Sequence, residues 1–141
     1  MRVEDVMSAA KCCRESDSVL ECAKLMRDEG IGFVPICNDA MEPVGAITDR
    51  DVTIRVLAEG RSPDEEVAAF MTRDVVSCEV ADDVTDCEQL MREHQKSRIM
   101  VCDEQGKLRG VVSLQDLAER ESEESIGETL QQVKSDQPPA H

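Results

Sequence analysis

One seven-residue string occurs twice in this chain, and its repetition constrains the fold more than any other feature. Residues 45–51 read Gly-Ala-Ile-Thr-Asp-Arg-Asp, and residues 110–116, located 65 positions later, read Gly-Val-Val-Ser-Leu-Gln-Asp. In both copies a glycine opens a short apolar run that ends on a hydroxyl residue, and an aspartate follows three positions later. We therefore expect two copies of one folding unit.

The repeated string indicates a strand that ends at the N-cap of a helix. A Ser or Thr between an apolar run and a helical segment is typical of that position. Thr48 and Asp51, and likewise Ser113 and Asp116, would then lie within one helical turn of each other. Backbone N–H groups and a hydroxyl at such a junction can bind phosphate, and a carboxylate can bind a sugar diol. The motif fits a phosphorylated ribose, and it also fits helix capping alone.

The composition excludes several classes of partner. The 141 residues carry a formal net charge of −15, which would repel nucleic acid and anionic membranes. An anionic ligand would therefore need local positive charge. No apolar run approaches the roughly 18 residues of a transmembrane helix, and the N-terminus has no signal-peptide pattern. We expect a soluble, cytoplasmic protein with neither a nucleic-acid nor a membrane partner.

The cysteines follow the same repeat. Of the seven, Cys13 matches Cys78, Cys22 matches Cys87 and Cys37 matches Cys102, while only Cys12 has no counterpart. Cysteines at equivalent positions are best explained as small apolar packing residues. The chain has no Cys-x-x-Cys and only two histidines, so zinc-site spacing is absent. We expect the six repeated thiols to be reduced, mostly buried and without metal, at equivalent positions that do not converge on one point, and Cys12, next to Lys11, is the candidate reactive thiol.

Hydrophobic periodicity predicts the order strand, helix, strand, strand, helix in each half. The first half would have an extended piece near Cys12 and Cys13, a helix capped by Asp17 or Ser18, strands at 33–37 and 44–48, and a helix over 49–59. The second half would be extended at 75–78, with a helix capped by Asp82 or Asp83, strands at 98–102 and 108–113, and a helix from 114. Pro35 indicates an edge strand or interrupted pairing. Because such a half is too small to cover both faces of its sheet, we expect one shared core.

These patterns predict repeats at 1–60 and 61–120, with a break at 60–63. Short helical turns would open the repeats, over 3–7 and 63–71. Residues 121–141 would form an acidic, partly disordered tail, in which Ile126 and Leu130 mark a loosely held helix and the end is disordered from Lys134 onward.

Together the residues resemble a pair of cystathionine β-synthase (CBS) domains, often called a Bateman module. The first half carries the resemblance in Val6-Met7, Asp17-Ser18-Val19, Leu25-Met26, Ile31-Gly32, Val34-Pro35-Ile36 and the string at 45–51. The second half carries it in Met71-Thr72, Asp83-Val84, Leu90-Met91, Arg98-Ile99-Met100-Val101 and the string at 110–116. The resemblance spans residues 1 to about 120 and is similar to stand-alone bacterial CBS-pair proteins, including the hypoxic-response type. It implies an α/β fold of two strand–helix–strand–strand–helix repeats packed with pseudo-twofold symmetry.

The resemblance also implies a regulatory homodimer whose clefts between the repeats hold AMP, ADP, ATP or S-adenosylmethionine. By this resemblance Thr48 or Ser113 would contact phosphate or ribose, and Asp51 or Asp116 would bind the ribose hydroxyls. The base would lie among four apolar residues, Val34, Ile36, Ile99 and Val101. Arg98 would lie near the phosphates, whereas its counterpart in the first half is Phe33, and Asp49 adds a negative charge there. We therefore favour the cleft that Arg98 can reach.

Two other interpretations stay open. The chain could be a ligand-free dimerisation or protein-interaction module, or a thiol redox sensor with an exposed cysteine of depressed pKa. No nucleophile–base pair, metal cluster or Walker-type loop is visible, so we expect no enzyme activity. A homodimer is predicted because Val52, Val56, Leu57 and Leu117 would have no third layer to cover them. The sequence does not identify the effector protein.

Overall fold

The computed structural model describes residues 1–119, 130, 131 and 133. The chain divides into two compact units. The first-repeat unit is Lys11–Val75, and the second-repeat unit combines Met1–Ala10 with the chain from Val76 onward. The predicted opening turn at 3–7 therefore belongs to the second-repeat unit, and the predicted opening turn at 63–71 belongs to the first-repeat unit. The repeat boundaries at 1–60 and 61–120 stay a prediction.

The order of elements confirms the predicted α/β repeats. Along the chain the strands are β1 (Ser8–Ala9), β2 (Cys13–Arg14), β3 (Phe33–Cys37), β4 (Pro43–Thr48), β5 (Ser77–Glu79), β6 (Arg98–Cys102) and β7 (Leu108–Ser113). The α-helices are α1 (Val19–Glu29), α2 (Asp49–Asp51), α3 (Val84–His94) and α4 (Leu114–Ala118). A π-helical segment, Val52–Leu57, continues α2, and 3-10 turns cover Val3–Asp5 and Val67–Ala69.

Each unit has its own sheet. The first-repeat sheet has the order β2-β3-β4, with β2 parallel and β4 antiparallel to β3. The second-repeat sheet has the order β1-β7-β6-β5, in which β1 adds an antiparallel edge strand to β7. Two apolar clusters form, one within each unit, where the sequence predicted a single shared core. Their fully buried central residues are Val34, Ile36 and Ile47 in one and Ile99, Val101 and Val112 in the other.

Local chemistry explains where the two long helices begin and end. Ser18 caps α1 by accepting a hydrogen bond from the Glu21 N–H at 3.1 Å, and Asp83 caps α3 by accepting from the Thr85 N–H at 3.0 Å. Gly30 ends α1 in the left-handed conformation with φ 65°, which glycine adopts without steric cost. Gln95 ends α3 in the same conformation with φ 56°.

Pro35 lies in the central strand of its sheet, so the prediction of an edge strand is wrong. It faces Ala46 on β4, but on its other side the parallel pairing begins one residue later, between Cys13 and Ile36. In the second repeat Met100 takes this place, pairs with Ser77, and donates its N–H to the Val76 carbonyl at 3.1 Å. Proline has no N–H to donate, and Pro35 has no residue partner on β2. This confirms the interrupted pairing that the sequence predicted.

Two of the residues behind the homodimer prediction are buried within their own units. Val56 and Leu117 have no exposed surface because they belong to the apolar clusters. Leu57 is 64% exposed, and Ile54 on the same π-helical segment is 43% exposed. The exposed apolar surface of this segment is therefore formed by Ile54 and Leu57.

The predicted acidic tail at 121–141 lies outside the described residues except for three positions. Leu130, Gln131 and Val133 are helical, and Val133 is fully buried in the second-repeat cluster. The predictions for Ile126 and for the end from Lys134 lie outside the described residues. Among the helices that the structure describes, none is long and apolar enough to span a membrane.

The six repeated cysteines are buried, as predicted, and Cys12 is half-buried. Replacing Cys22 or Cys87 with alanine should lower the free energy of unfolding by about 1–2 kcal/mol, because each substitution removes a sulfur from a packed core. Urea titration followed by circular dichroism measures this change. Cys12→Ala is the control and should stay within about 0.5 kcal/mol of the parent. Unchanged midpoints for both core variants would contradict the packing role.

Candidate functional site

The candidate site lies where β7 passes into α4. The Ser113 hydroxyl accepts a hydrogen bond from the Asp116 N–H at 3.0 Å, and Asp116 Oδ2 accepts from the Ser113 N–H at 2.9 Å. Ser113 therefore caps α4 in a reciprocal capping box, which fixes the positions of both side chains. The structure brings together the hydroxyl and the carboxylate that the repeated string singled out.

Arg98 lies opposite Ser113 in the antiparallel ladder of β6 and β7. The Leu114 N–H donates to the Ser97 carbonyl at 2.8 Å, so the start of β6 is fastened to the start of α4. Arg98 is exposed, and it makes no hydrogen bond or ion pair with any other residue that the structure describes. By contrast, seven arginines each form an ion pair with a carboxylate, namely Arg2, Arg14, Arg27, Arg55, Arg61, Arg73 and Arg92. In a chain with a net charge of −15, Arg98 thus offers its guanidinium to an external anion.

A cleft of about 350 Å³ opens beside these residues. It is lined by Ser97, Arg98, Ser113, Leu114, Gln115, Ala118 and Leu130. Its volume lies in the range of small-molecule sites, about 300–1,000 Å³. Its lining combines the cation of Arg98 and the hydroxyl groups of Ser97 and Ser113 with the apolar side chains of Leu114, Ala118 and Leu130. Asp116 is half-buried next to this lining and is not part of it.

The four apolar residues that the resemblance assigned to the base are core residues. Val34, Ile36, Ile99 and Val101 are 0% exposed and belong to the apolar clusters of their own units. They leave no surface for a base, because alternate residues of β3 and β6 face the helix-covered side of each sheet. The apolar wall of the cleft comes instead from α4 and Leu130.

Sequence reasoning missed Ser97, Leu114, Gln115, Ala118 and Leu130 as lining residues. Leu114 and Gln115 were detectable, because they stand inside the repeated string. Ser97 directly precedes Arg98, and Ala118 lies one turn beyond Leu114 on the same short helix. Leu130 had no signal beyond being an apolar residue within an acidic stretch, and its position depends on long-range packing.

The first-repeat unit contains the same junction with a different charge pattern. Thr48 and Asp51 form a capping box with hydrogen bonds of 2.9 and 3.1 Å. Phe33 lies opposite Thr48, at the position that Arg98 has in the other unit. Asp49 corresponds to Leu114, and its carboxylate lies against Gly32, so closely that an added Cβ there would be 2.8 Å from Oδ2. At this junction the anionic Asp49 therefore stands where the second-repeat site has the apolar Leu114. The aromatic ring of Phe33 stands where that site has the cation of Arg98.

No group of three or more His, Cys, Asp or Glu side chains in the described part of the chain is arranged to hold a metal ion.

Comparison with known proteins identifies relatives along the whole described chain. The CBS domain model matches residues 3–58 and 67–123. Hypoxic response protein 1 of Mycobacterium tuberculosis is 32% identical over 133 residues, covering 93% of this chain and 92% of that protein. Protein MK0525 of Methanopyrus kandleri is 37% identical over 107 residues, which are 75% of this chain and 55% of that protein. The chain therefore spans only about half of this second relative.

Solved structures show the same fold. The crystal structure of Hypoxic Response Protein I with two coordinated zinc ions matches with a TM-score of 0.78 and 29% identity, covering 86% of this chain and 100% of that chain. The CBS domain pair of protein MJ0100, in complex with 5′-methylthioadenosine and S-adenosyl-L-methionine, matches with a TM-score of 0.72 and 25% identity, covering 84% of this chain and 94% of that chain. The domain matches cover both repeats, and the chain belongs to the CBS-domain family as a protein with two CBS domains.

Proposed function

We propose that this protein is a non-catalytic regulatory module whose second-repeat unit binds a phosphorylated adenosine compound, of the AMP, ADP or ATP class, in the cleft beside Arg98. The observation that carries this proposal is the guanidinium of Arg98, exposed and without a partner among the described residues, at a cleft with hydroxyl groups and an apolar wall. The MJ0100 domain pair, crystallised with two adenosine compounds, supports adenosine as the common part of the ligand.

The phosphate would bind between Arg98 and Ser113, which face each other across the β6–β7 ladder. A guanidinium donates two parallel hydrogen bonds to phosphate oxygens, and charge-assisted bonds of this kind are about twice as strong as neutral ones. The Ser113 oxygen already accepts from the Asp116 N–H, so its own hydrogen can be donated to a phosphate oxygen. The negative net charge of the chain makes this local cation necessary for an anionic ligand.

The adenine ring would lie against Leu114, Ala118 and Leu130, which form the apolar wall. The ribose would approach Asp116, whose Oδ2 stays bonded to the Ser113 N–H while Oδ1 accepts from the ribose hydroxyls. Asp116 adjoins the cleft without lining it, so its contact with ribose stays a prediction. Ligand binding would then favour one arrangement of the module and change the activity of an effector protein.

The first-repeat junction is a poorer site for the same ligand. Asp49 would repel a phosphate there, and Phe33 offers no charge to offset that repulsion. We expect S-adenosylmethionine to bind the second-repeat cleft less tightly than AMP, because its sulfonium group is positive and would lie near Arg98.

A thermal-shift series tests this function. Adenosine, AMP, ADP, ATP and S-adenosylmethionine are each added to the protein, and the melting temperature is measured. A ligand with roughly micromolar affinity contributes about 8 kcal/mol of binding free energy. At a hundredfold excess over Kd it should stabilise the folded state by about 2.7 kcal/mol, because it binds only that state. If no compound raises the melting temperature at millimolar concentration, the ligand-binding proposal fails and the ligand-free interaction module takes its place.

We also propose that the chain is a cytoplasmic homodimer. The six buried cysteines form no disulfide bonds, which suits a reducing compartment. Ile54 and Leu57 form an exposed apolar pair on the π-helical segment, and such surfaces are typical of interfaces. Light scattering at micromolar concentration should give twice the chain mass of 15.6 kDa. Leu57→Glu should shift the protein towards the monomer, whereas Leu20→Glu, on the exposed side of α1, should not. A monomer mass for the parent protein would contradict the dimer.

A further inference from the structure

The cleft beside Arg98 takes part of its apolar wall from the C-terminal end of the chain. Six of its lining residues lie between Ser97 and Ala118, whereas Leu130 stands twelve positions beyond Ala118. This leucine lines the cleft only while its part of the chain is docked on the second-repeat unit. The shape of the cleft therefore depends on that docking.

Leu130 offers a ligand more apolar surface than the other leucine of the cleft. Its side chain is 49% exposed, whereas Leu114 is 4% exposed and belongs to the second-repeat cluster. Ala118 contributes only a methyl group. Covering exposed apolar surface is favourable in proportion to its area. A ligand with an apolar face therefore gains much of its contact from Leu130.

Val133 fastens this part of the chain to the second-repeat unit. It is 0% exposed and belongs to the same cluster as Leu114 and Leu117 of α4. Leu130 and Val133 are both helical and three positions apart, so they lie on one face of a helix. Burial of Val133 therefore turns Leu130 towards the unit, where it lines the cleft.

The docking has few buried contacts among the C-terminal residues that the structure describes. Of Leu130, Gln131 and Val133, only Val133 is buried. An element held by few buried apolar contacts opens locally at a lower free energy than the whole fold. The docked and undocked forms are therefore two states whose balance a ligand can shift.

We propose that Val133 is a positioning residue that docks Leu130 at the cleft, and that this docking and ligand binding strengthen each other. The inference rests on the proposed function and adds regulation to the same site. The adenine ring covers Leu130 and so favours the docked form. Docking of the C-terminal residues is then the change that ligand binding transmits to an effector protein.

Thermodynamic linkage gives this inference a size. If docking raises the affinity for AMP by some factor, AMP raises the equilibrium constant for docking by the same factor. Loss of one apolar group from a binding pocket weakens binding by about tenfold at the lower end of its range. We expect about this factor for both effects. Leu130 would contact the base, so adenosine and AMP should be affected alike.

Isothermal titration of the full chain measures the effect of docking on affinity. Leu130→Ala should weaken the binding of both AMP and adenosine by about tenfold. Val133→Asn should weaken both by a similar factor, because it undocks Leu130 without altering it. If Val133→Asn is not folded by circular dichroism, Val133→Ala replaces it. Gln131→Ala is the matched control at the exposed neighbouring position and should leave both affinities unchanged.

Amide hydrogen exchange measures the reciprocal effect of AMP on docking. Saturating AMP should slow exchange at residues 130–133 of the parent by about tenfold. In Leu130→Ala, with AMP raised until the variant is also saturated, this slowing should disappear. Bound AMP still stabilises the fold of that variant as a whole. The comparison therefore separates coupling at Leu130 from general stabilisation by a ligand.

The outcomes distinguish this inference from the proposed function. Equal AMP affinities of the parent, Leu130→Ala and the folded Val133 variant would overturn the inference and leave the proposed function intact. Slowing of the same size in the parent and in Leu130→Ala would also overturn it alone. If the parent binds neither AMP nor adenosine, the proposed function fails and the inference fails with it.

Discussion

Gly110→Ala is expected to lower the free energy of unfolding by about 2–3 kcal/mol, the upper part of the range for overpacked sites. A Cβ at this position would lie 2.6 Å from the Ser8 carbonyl oxygen and 2.8 Å from the Met7 sulfur. The carbonyl cannot move aside cheaply, because β1 is paired with β7 and Ala9 is the register partner of Gly110. The glycine that opens the repeated string is therefore needed for a close approach of backbone. Urea titration followed by circular dichroism measures the loss.

Two controls separate this explanation from others. Arg109→Ala, on the exposed side of the same strand, should stay within about 0.5 kcal/mol of the parent. Adding Met7→Ala to Gly110→Ala should not restore stability, because the main obstacle is the Ser8 backbone. Gly45→Ala should act similarly in the first-repeat unit, where the added Cβ would lie 2.6 Å from the Thr72 carbonyl oxygen. Stability restored by Met7→Ala would show that the flexible side chain was the obstacle and would contradict the account.

Arg98→Ala is expected to weaken AMP binding by roughly tenfold to a hundredfold. Losing a hydrogen bond to a charged group costs about 1.5–3 kcal/mol, and each 1.4 kcal/mol is a factor of ten in Kd. Adenosine has no phosphate, so its affinity should change by less than about threefold, which corresponds to well under 1 kcal/mol. Isothermal titration of both ligands against both proteins gives the comparison.

Arg109→Ala again serves as the matched control, because it removes one positive charge from the same unit on the neighbouring strand. It should leave the AMP affinity nearly unchanged at physiological salt, where charges more than about 8 Å away are largely screened. An equal loss of adenosine and AMP affinity in Arg98→Ala would mean that Arg98 supports the cleft rather than the phosphate. If Arg98→Ala and Arg109→Ala weakened AMP binding equally, Arg98 would act only through the net charge of the protein.

The secondary structure of the repeats was predictable because its signals are local. Ser113 follows an apolar run and precedes Asp116 by three positions, and this spacing alone indicates the capping box that the structure contains. Val84, Cys87 and Met91 are spaced as one face of a helix, and all three are buried on α3. The difference in charge between Arg98 and Phe33 was also visible, because the repeat aligns the two positions.

What the sequence could not predict depends on long-range packing. The pairing of Ser8 with Val111 joins segments from opposite ends of the chain, and no periodicity reports it. Val34 and Ile99 are apolar strand residues, and such residues suit a base-binding surface and a core equally well. They are core residues because the helix of each unit packs over its sheet, which the sequence alone does not show. From the sequence, Pro35 favours an edge strand or interrupted pairing, because no local signal shows that β2 pairs with β3 only from Ile36 onward.

A crystal structure of the protein grown with millimolar AMP tests the central claim most directly. The phosphate is expected to lie between Arg98 and Ser113, the adenine ring against Leu114 and Ala118, and the ribose hydroxyls within hydrogen-bond distance of Asp116. Density for AMP beside Thr48 and Asp51 alone, or no AMP at all in crystals whose second-repeat cleft is open to solvent, would contradict it.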